Sequence, residues 1–595
     1  MLIKRMTLLT LTIGSWICMV MAGETVFDIR EYPFSHYGSY MSVMLEEDPD
    51  TGKEGFFIRD VSGERMWGRK GVFRMEILEG DQVVTPEISG TPAKVTATSP
   101  AGGVEVAYET PDVIRIRGNA QHFRLTQTIA TWSGATYPIN HDKTLWHCKM
   151  WGPHYVVAIL KGTSTGKVTS TYVNEPITGE PLYILDVEPS DDGYFELAVH
   201  QVQDAWDGSK YNKPFNDCVA ESNAHFLDFQ NKIPSTPARF EELRQLGAYI
   251  KWSSVVNPRT AIRRPVMYQS KNYMTAIWSW DNCFGAMAVA NDHQLALDQL
   301  LVFFDYQTDL GILPDFITEK YPMYAAFKPP IKGLTMQKLN ELSLNEYSNE
   351  ELTMVYEPIA RHTDFWMTYM DNSGNGVPQY NNSNDCCDNS PIFKAGYPLE
   401  SPDLSTHLII QMDWLAETAL KLGKQQKAQN WEQRADKLTE RMIQELWNGE
   451  LFVARNAFTR EYCEECHSFM SYIPIMLGSR LPDEIRAKLI YDLKNNGIVT
   501  PFGPGSEHHE SPWFIDDGYW RGPVWAPHYF FLVEGLKRAG EVEWARELAL
   551  NYAEMCLRSG FPENFSSVDG RPLRDTGYSW TVDVFFALAH ELLDH

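Results

Sequence analysis

Single carboxylates set among flat aromatic side chains recur along the second half of this 595-residue sequence, each time in a turn. Trp278-Ser279-Trp280-Asp281 comes first, followed by Gly311-Ile312-Leu313-Pro314-Asp315, Lys328-Pro329-Pro330-Ile331, Cys387-Asp388-Asn389-Ser390-Pro391 and Ser401-Pro402-Asp403-Leu404. Gly518-Tyr519-Trp520-Arg521-Gly522-Pro523-Val524-Trp525 and Pro562-Glu563-Asn564-Phe565 close the series. Carboxyl groups supply charge-assisted hydrogen bonds and proton transfer, and aromatic rings supply an apolar face. The combination suits a ligand with both hydroxyls and C–H surface, as in a sugar cleft. Each residue alone has a plainer reading. Asp-Asn-Ser-Pro is an ordinary turn, Asp403 could cap the helix that follows it, and Asp385 competes locally with Asp388 but lacks the Asn-Ser-Pro context. A carboxylate used only as a cap, however, would not need so many tryptophan neighbours.

Turns this far apart act together only if regular elements gather them on one face. After about Arg239 apolar residues repeat at steps of three and four, as in Trp431, Ala435, Leu438, Met442 and Leu446, and again in Trp544, Leu548, Tyr552 and Met555. Further helices are predicted over 240–252, 274–306, 348–371, 404–423, 482–495, 525–539 and 579–594. Paired helices with long decorated loops predict a helical toroid whose inner helices present their N-terminal loops at one end. From about Glu24 to Pro237 the period is two. Strands at 93–97, 103–108 and 113–117 are separated by Ser-Pro-Ala-Gly-Gly and Thr-Pro-Asp turns, which predicts an antiparallel β-sandwich. The expected organisation is multidomain α+β: a leader over 1–22, a sandwich over 23–238 and a helical domain over 239–595.

A hydrophobic content of 44%, with 13% aromatic residues, is that of a packed globular protein, and 18 Trp and 28 Tyr exceed what a core needs. The formal charge of −26 argues against nucleic acid or an anionic membrane as partner. Lys4 and Arg5, the apolar run from Met6 to Met21 and the small residue Ala22 read as a secretory signal, so an exported, periplasmic or secreted protein without membrane insertion is expected. Of nine cysteines, Cys18 falls in this leader, and the rest are too sparse for a disulfide scaffold. Cys463-Glu464-Glu465-Cys466-His467 matches the covalent haem pattern, but nothing else in the chain points to electron transfer. His590-Glu591-Leu592-Leu593-Asp594 lacks the second histidine of a zinc motif. Neither these nor Ser506-Glu507-His508-His509-Glu510 is taken as a metal site, and no cofactor is expected. The oligomeric state is left open.

The ordered series WSWD, GILPDF, KPPI, DNSP, SPDLS, GYWRGPVW, PENF and Tyr578-Ser579-Trp580 resembles the clan of inverting glycosidases that contains glycoside hydrolase family 63. The resemblance covers about residues 240–595. It implies an (α/α)6 barrel in which two carboxyl groups act across the scissile bond, and it maps the general acid onto Asp388 and the general base onto Glu563. It also maps a ligand for sugar hydroxyls onto Asp281. Trp278, Trp280, Trp520 and Trp525 are expected to shape the pocket, Arg521 to donate to the base or the substrate, and Asp403 to contact the substrate. Inversion requires one protonated and one ionised carboxyl about 6.5–9.5 Å apart. Asp388 should therefore have its pKa raised by burial and by neighbouring carboxylates, and Glu563 should stay ionised among donors. The implied activity is exo-acting α-glycoside hydrolysis of an oligosaccharide or small glycoside, an α-glucosidase first. An α-mannoside or glyceryl glycoside, or a carbohydrate-binding protein that no longer cleaves, are the alternatives.

Overall fold

The computed structural model describes residues 25–49, 52–128, 135–149, 154–167 and 183–592; the predicted leader and Cys18 lie outside them. The N-terminal part forms two antiparallel sheets. One runs Met41–Asp48, Lys53–Asp60, Gly71–Glu79, His122–Gln127, Tyr183–Glu188, Thr163–Lys167, with Gln82–Val84 paired to Gly71–Glu79. The other runs Ala135–Pro138, Leu145–Lys149, His154–Lys161, Phe195–Val202, Val113–Gly118, Gly102–Thr110, Val95–Ser99, Glu87–Gly90. Register puts Val106 opposite Ile116, and Ile116 opposite Leu197. Every second residue thus enters a core shared with Val43, Ile58, Phe73 and Leu125 of the facing sheet.

The last of these strands ends at Val202, and a helix not predicted from the sequence follows, α1 (Phe215–Gln230). Its buried stripe of Phe215, Cys218, Ser222, Phe226 and Phe229 mixes polar with apolar residues, which blurred the period.

The remainder is a toroid of two concentric rings. The outer ring is α2 (Glu241–Ser254), α4 (His293–Phe304), α6 (Asn349–Tyr369), α8 (Gln425–Leu446), α9 (Asp483–Asn495) and α11 (Val542–Ser559). The inner ring is α3 (Asp281–Ala288), α5 (Lys332–Leu342), α7 (Pro402–Lys421), a 3₁₀ stretch over Phe469–Arg480, α10 (Ala526–Arg538) and α12 (Ser579–Leu592). Each inner element packs on the next, and α12 returns to α3, so the ring closes. The predicted 274–306 helix is divided, with the Asp292 side chain accepting from the Leu295 N–H (3.2 Å) to start α4. Two inner elements, α5 and the 3₁₀ stretch, escaped prediction. α5 is buried over Lys332–Met336, and a segment buried on nearly all sides shows no amphipathic stripe. The 3₁₀ stretch carries Pro474 and Gly478 at φ 54°, neither compatible with a regular α-helix. No helix among the described residues is long and apolar enough to cross a membrane.

Candidate active site

Five of the six inner elements, all but the 3₁₀ stretch, start within or directly after a motif loop, and hydrogen bonds tie several of these loops together. At the first of them Asn282 clamps the turn that precedes α3. Its Oδ1 accepts from the Trp278 N–H and Gln269 Nε2, and its Nδ2 donates to the Met267 carbonyl and Gln299 Oε1, all at 3.1 Å. Asp281 is thereby held with Oδ2 buried and accepting no hydrogen bond from the described residues. Burial raises its pKa to about 7; Asp315 and Asp388 add repulsion, and Lys328 opposes them.

Asp388 is half-buried in a turn closed by the Ser390 N–H on the Cys387 carbonyl (2.8 Å). Asn389 staples this turn to the GYWRG loop, donating from Nδ2 to the Gly518 carbonyl (3.0 Å) and accepting the Trp520 N–H at Oδ1 (2.9 Å). Burial raises the Asp388 pKa, while Lys328 and a hydrogen bond from the Tyr519 hydroxyl pull it back. The competing Asp385 is committed elsewhere. It accepts the N–H groups of Phe327 (2.8 Å), Asn381 (2.7 Å) and Asn382 (3.1 Å), and so holds the chain beside Lys328. Lys328 lies 3.6 Å from Asp315 Oδ1 and donates to the Asn384 carbonyl. Burial works against its charge, but Asp315, Asp388 and Asp281 together outweigh it and hold its pKa above the ordinary lysine value. Burial likewise pushes Asp315 up to about 6. The thiols of Cys386 and Cys387 lie beneath this loop, 3.2 Å apart and buried.

Glu563 is reached from the far side of the ring. Its N–H donates to the Asp575 carbonyl (2.8 Å) and its carbonyl accepts from Trp580 Nε1 (2.9 Å). The next strand, Asn564–Phe565, exchanges two backbone hydrogen bonds with Val524 (2.8 and 3.0 Å), which joins PENF to GYWRGPVW. Here one expectation is corrected. Glu563 does not sit ionised among donors: burial, then the Asp575 charge and, more weakly, Asp281, raise its pKa to about 8, against the pull of Arg574 and of the Asp575 backbone N–H. Tyr519, in the left-handed region at φ 65°, stands between the two sides. After burial, the charges that drive its phenol upward are Glu563, Asp388 and Asp281.

Aromatic rings close the floor. Trp520 and Trp525 stack at 4.0 Å and 6°, Trp580 stands edge-on to them at 6.2 and 5.1 Å, and Trp280 stands edge-on to Trp580 at 6.2 Å. Trp278 forms part of a side wall with Phe316, at 5.7 Å. Three residues expected to line the pocket or bind substrate are instead used to support it or face elsewhere. Trp525 is fully buried and donates from Nε1 to the Tyr519 carbonyl (2.9 Å), so it backs Trp520 and pins Tyr519. Arg521 is turned away because the Ile515 N–H closes on its carbonyl (2.7 Å); its Nε donates to the Trp513 carbonyl (3.0 Å) and its charge bears on Glu507. The guanidinium near Glu563 is that of Arg574, which covers the Tyr519 ring at 5.0 Å. Asp403 is fully buried in the first turn of α7, accepting from the hydroxyls of Ser401 and Tyr380 (2.8 Å for the latter).

We expect Asp403→Ala to destabilise the protein by about 1–3 kcal/mol, because the Ser401 and Tyr380 hydroxyls lose their acceptor. Chemical denaturation measures this. A raised KM at unchanged stability would return Asp403 to the substrate.

Asp315, Lys328, Tyr519 and Trp580 stood inside recognisable motifs, but spacing alone assigned them nothing. Asp575 and Arg574 carried no sequence signal. The haem-like pattern is a loop in which Cys466 Sγ donates to the Cys463 carbonyl (2.9 Å) and the His467 N–H donates to Glu507 (2.7 Å).

The described residues thus form a closed (α/α)6 ring with carboxyl groups gathered over a tryptophan floor. A family model described as "Mannosylglycerate hydrolase MGH1-like glycoside hydrolase domain" matches residues 274–581, more than half of the chain, and the chain belongs to that family, within glycoside hydrolase family 63. Mannosylglycerate hydrolase from Rubrobacter radiotolerans is 30% identical over 176 residues, which span 28% of this chain and 38% of that relative. The crystal structure of a GH63 mannosylglycerate hydrolase from Thermus thermophilus, in complex with glucose, superposes with a TM-score of 0.51 at 17% identity, covering 58% of this chain and 99% of that one. A bacterial glucoamylase complexed with acarbose superposes over 96% of this chain and 95% of its own, with a TM-score of 0.60 at 12% identity. The sandwich-plus-toroid architecture is thus shared with the glucoamylase, and the toroid with the Thermus enzyme.

Proposed function

We propose that this protein hydrolyses an α-glycosidic bond with inversion, Asp388 protonating the leaving oxygen and Glu563 taking a proton from the attacking water. The joining of both carboxyl-bearing turns to the GYWRGPVW loop, that of Asp388 through Asn389 and that of Glu563 through Val524 and Phe565, carries this reading. Burial raises the Asp388 pKa and so favours its protonated form, and Lys328 and Tyr519 stabilise the carboxylate left after transfer. Glu563 holds its own proton at neutral pH. Hydroxyl and water donors brought in with the substrate favour its ionised form. Asp281, with a buried oxygen that lacks a donor, is the acceptor for hydroxyls of the reacting ring, since such an atom is costly until a ligand satisfies it.

For the sugar, the family and the Rubrobacter relative support an α-mannosyl group, including mannosylglycerate, ahead of the α-glucoside that the sequence motifs favoured. A panel of α-mannosyl and α-glucosyl substrates, with the first-released anomer followed by NMR, tests both points. We expect the β-anomer first. Initial release of the α-anomer would refute inversion, and binding without any cleavage would place the chain among carbohydrate-binding proteins.

A further inference from the structure

A loop of the sandwich reaches the rim of the toroid and is held there firmly. The Gly63 N–H donates to Glu319 Oε2 (2.7 Å), the Thr275 hydroxyl to the Ser62 carbonyl (3.3 Å), and Lys70 Nζ to the Met66 carbonyl (3.0 Å). The approach is so close that a Cβ on Gly63 would stand 2.6 Å from Thr318 Cβ. Met66 is buried in one cluster with Ala276 and Trp278, flanked by Met274 and Phe316, so the sandwich packs directly on the side wall of the pocket.

The next residue points the other way. Trp67 is 68% exposed, the most exposed tryptophan among the described residues, and its ring meets that of Tyr273, 48% exposed, edge to face at 5.5 Å. Tyr273 ends a turn whose Ser270 hydroxyl and Asn272 amide hold the Asp575 carboxylate (2.6 and 2.8 Å), and Asp575 in turn accepts the Glu563 N–H. Through Met66 the pair is tied to the side wall of Trp278, and through the Ser270–Asn272 turn to the segment that supports Glu563. Two large rings kept in water on a rigidly anchored loop are poorly explained by packing.

We infer that Trp67 and Tyr273 form a stacking subsite for a second sugar ring, joined to the ring whose bond is cleaved. The inference rests on the glycosidase reading and adds to it a leaving group or chain larger than glycerate. An aromatic face suits the C–H surface of a pyranose.

Calorimetry on the full-length Asp388→Asn protein tests it, with α-1,2-mannobiose against methyl α-mannoside and maltose against methyl α-glucoside. In at least one pair the two-ring sugar should bind about tenfold more tightly, of the order expected for one ring stacked on an aromatic face. Trp67→Ala in the same background should remove most of that preference, and Trp67→Phe should keep most of it. Equal binding within both pairs, a preference untouched by Trp67→Ala, or an equal loss for one-ring and two-ring sugars would each overturn the subsite. Thermal unfolding checks that the variants fold. Binding is read in a protein that does not cleave, so failure of the wild type to hydrolyse any glycoside would sink the glycosidase reading and leave the stacking result standing on its own.

Discussion

Asp388→Asn should lower kcat on ordinary glycosides by about 10²–10⁴-fold, the usual contribution of a positioned general acid, while sparing substrates with a dinitrophenolate leaving group. The asparagine keeps the size of the side chain and the stapled turn around it, in which Asn389 bonds to Gly518 and Trp520. What is lost is the proton. A sugar or glycerate oxygen cannot depart as an alkoxide without one, whereas dinitrophenolate is stable as an anion. The comparison of leaving groups therefore separates loss of the acid from general damage to the pocket. Near-normal turnover on ordinary glycosides would sink the assignment, and an equal loss with both leaving groups would show that Asp388 acts by some other route. Lys328 is part of the same argument: it lies 3.6 Å from Asp315 and acts on Asp388, so the ionised product state of the acid is not left uncompensated.

Glu563→Gln should lose turnover by a similar factor with either leaving group, because activation of water is needed in both cases. It should also make the protein more stable at high pH. In the folded protein the Glu563 carboxyl keeps its proton up to about 8, against 4.5 for an unburied glutamate. Between those values the native state binds more protons than the unfolded one, so folding stability falls as pH rises through this window and levels off above about 8. Each unit of difference is worth about 1.4 kcal/mol. A neutral glutamine escapes the effect. The Tm of the variant should thus exceed that of the wild type most clearly above about pH 8, and the gap should close toward pH 4.5. A gap independent of pH would show that the carboxyl is not held protonated by its surroundings. Asp281, raised to about 7, and Asp315, raised to about 6, lower stability in the same direction in both proteins. A pocket that stores like charges out of water in this way trades stability for the chemistry it must perform.

Much of the architecture was legible in the chain. The period-two segments paired as antiparallel strands, and the steps of three and four became the outer helices, since an outer helix has one buried face and shows it as a stripe. The inner ring was harder to read because elements buried on nearly all sides lose that contrast, as in α5, and because the 3₁₀ stretch around Pro474 and Gly478 obeys no helical period. The motifs also placed Asp281, Asp388 and Glu563 in turns, and their order was enough for the resemblance to family 63.

Which of the marked residues face one another was decided only by ring closure. Sequence spacing carries no information about direction once a loop reverses. Trp520 and Arg521 are neighbours, yet the first lies in the tryptophan floor and the second is turned to Trp513. Asp385 and Asp388 share a turn, yet backbone donors consume the first and leave the second half-buried beside Lys328 and Tyr519. The protonation of Glu563 likewise has no local cause. It comes from burial and from Asp575 and Asp281, the latter brought up from the far side of the ring. By itself, then, the sequence determined the residue types and the elements that present them, because these follow from local chemistry and periodicity. Tertiary structure decided the partners and charge states, because burial and through-space charge exist only once the ring is closed.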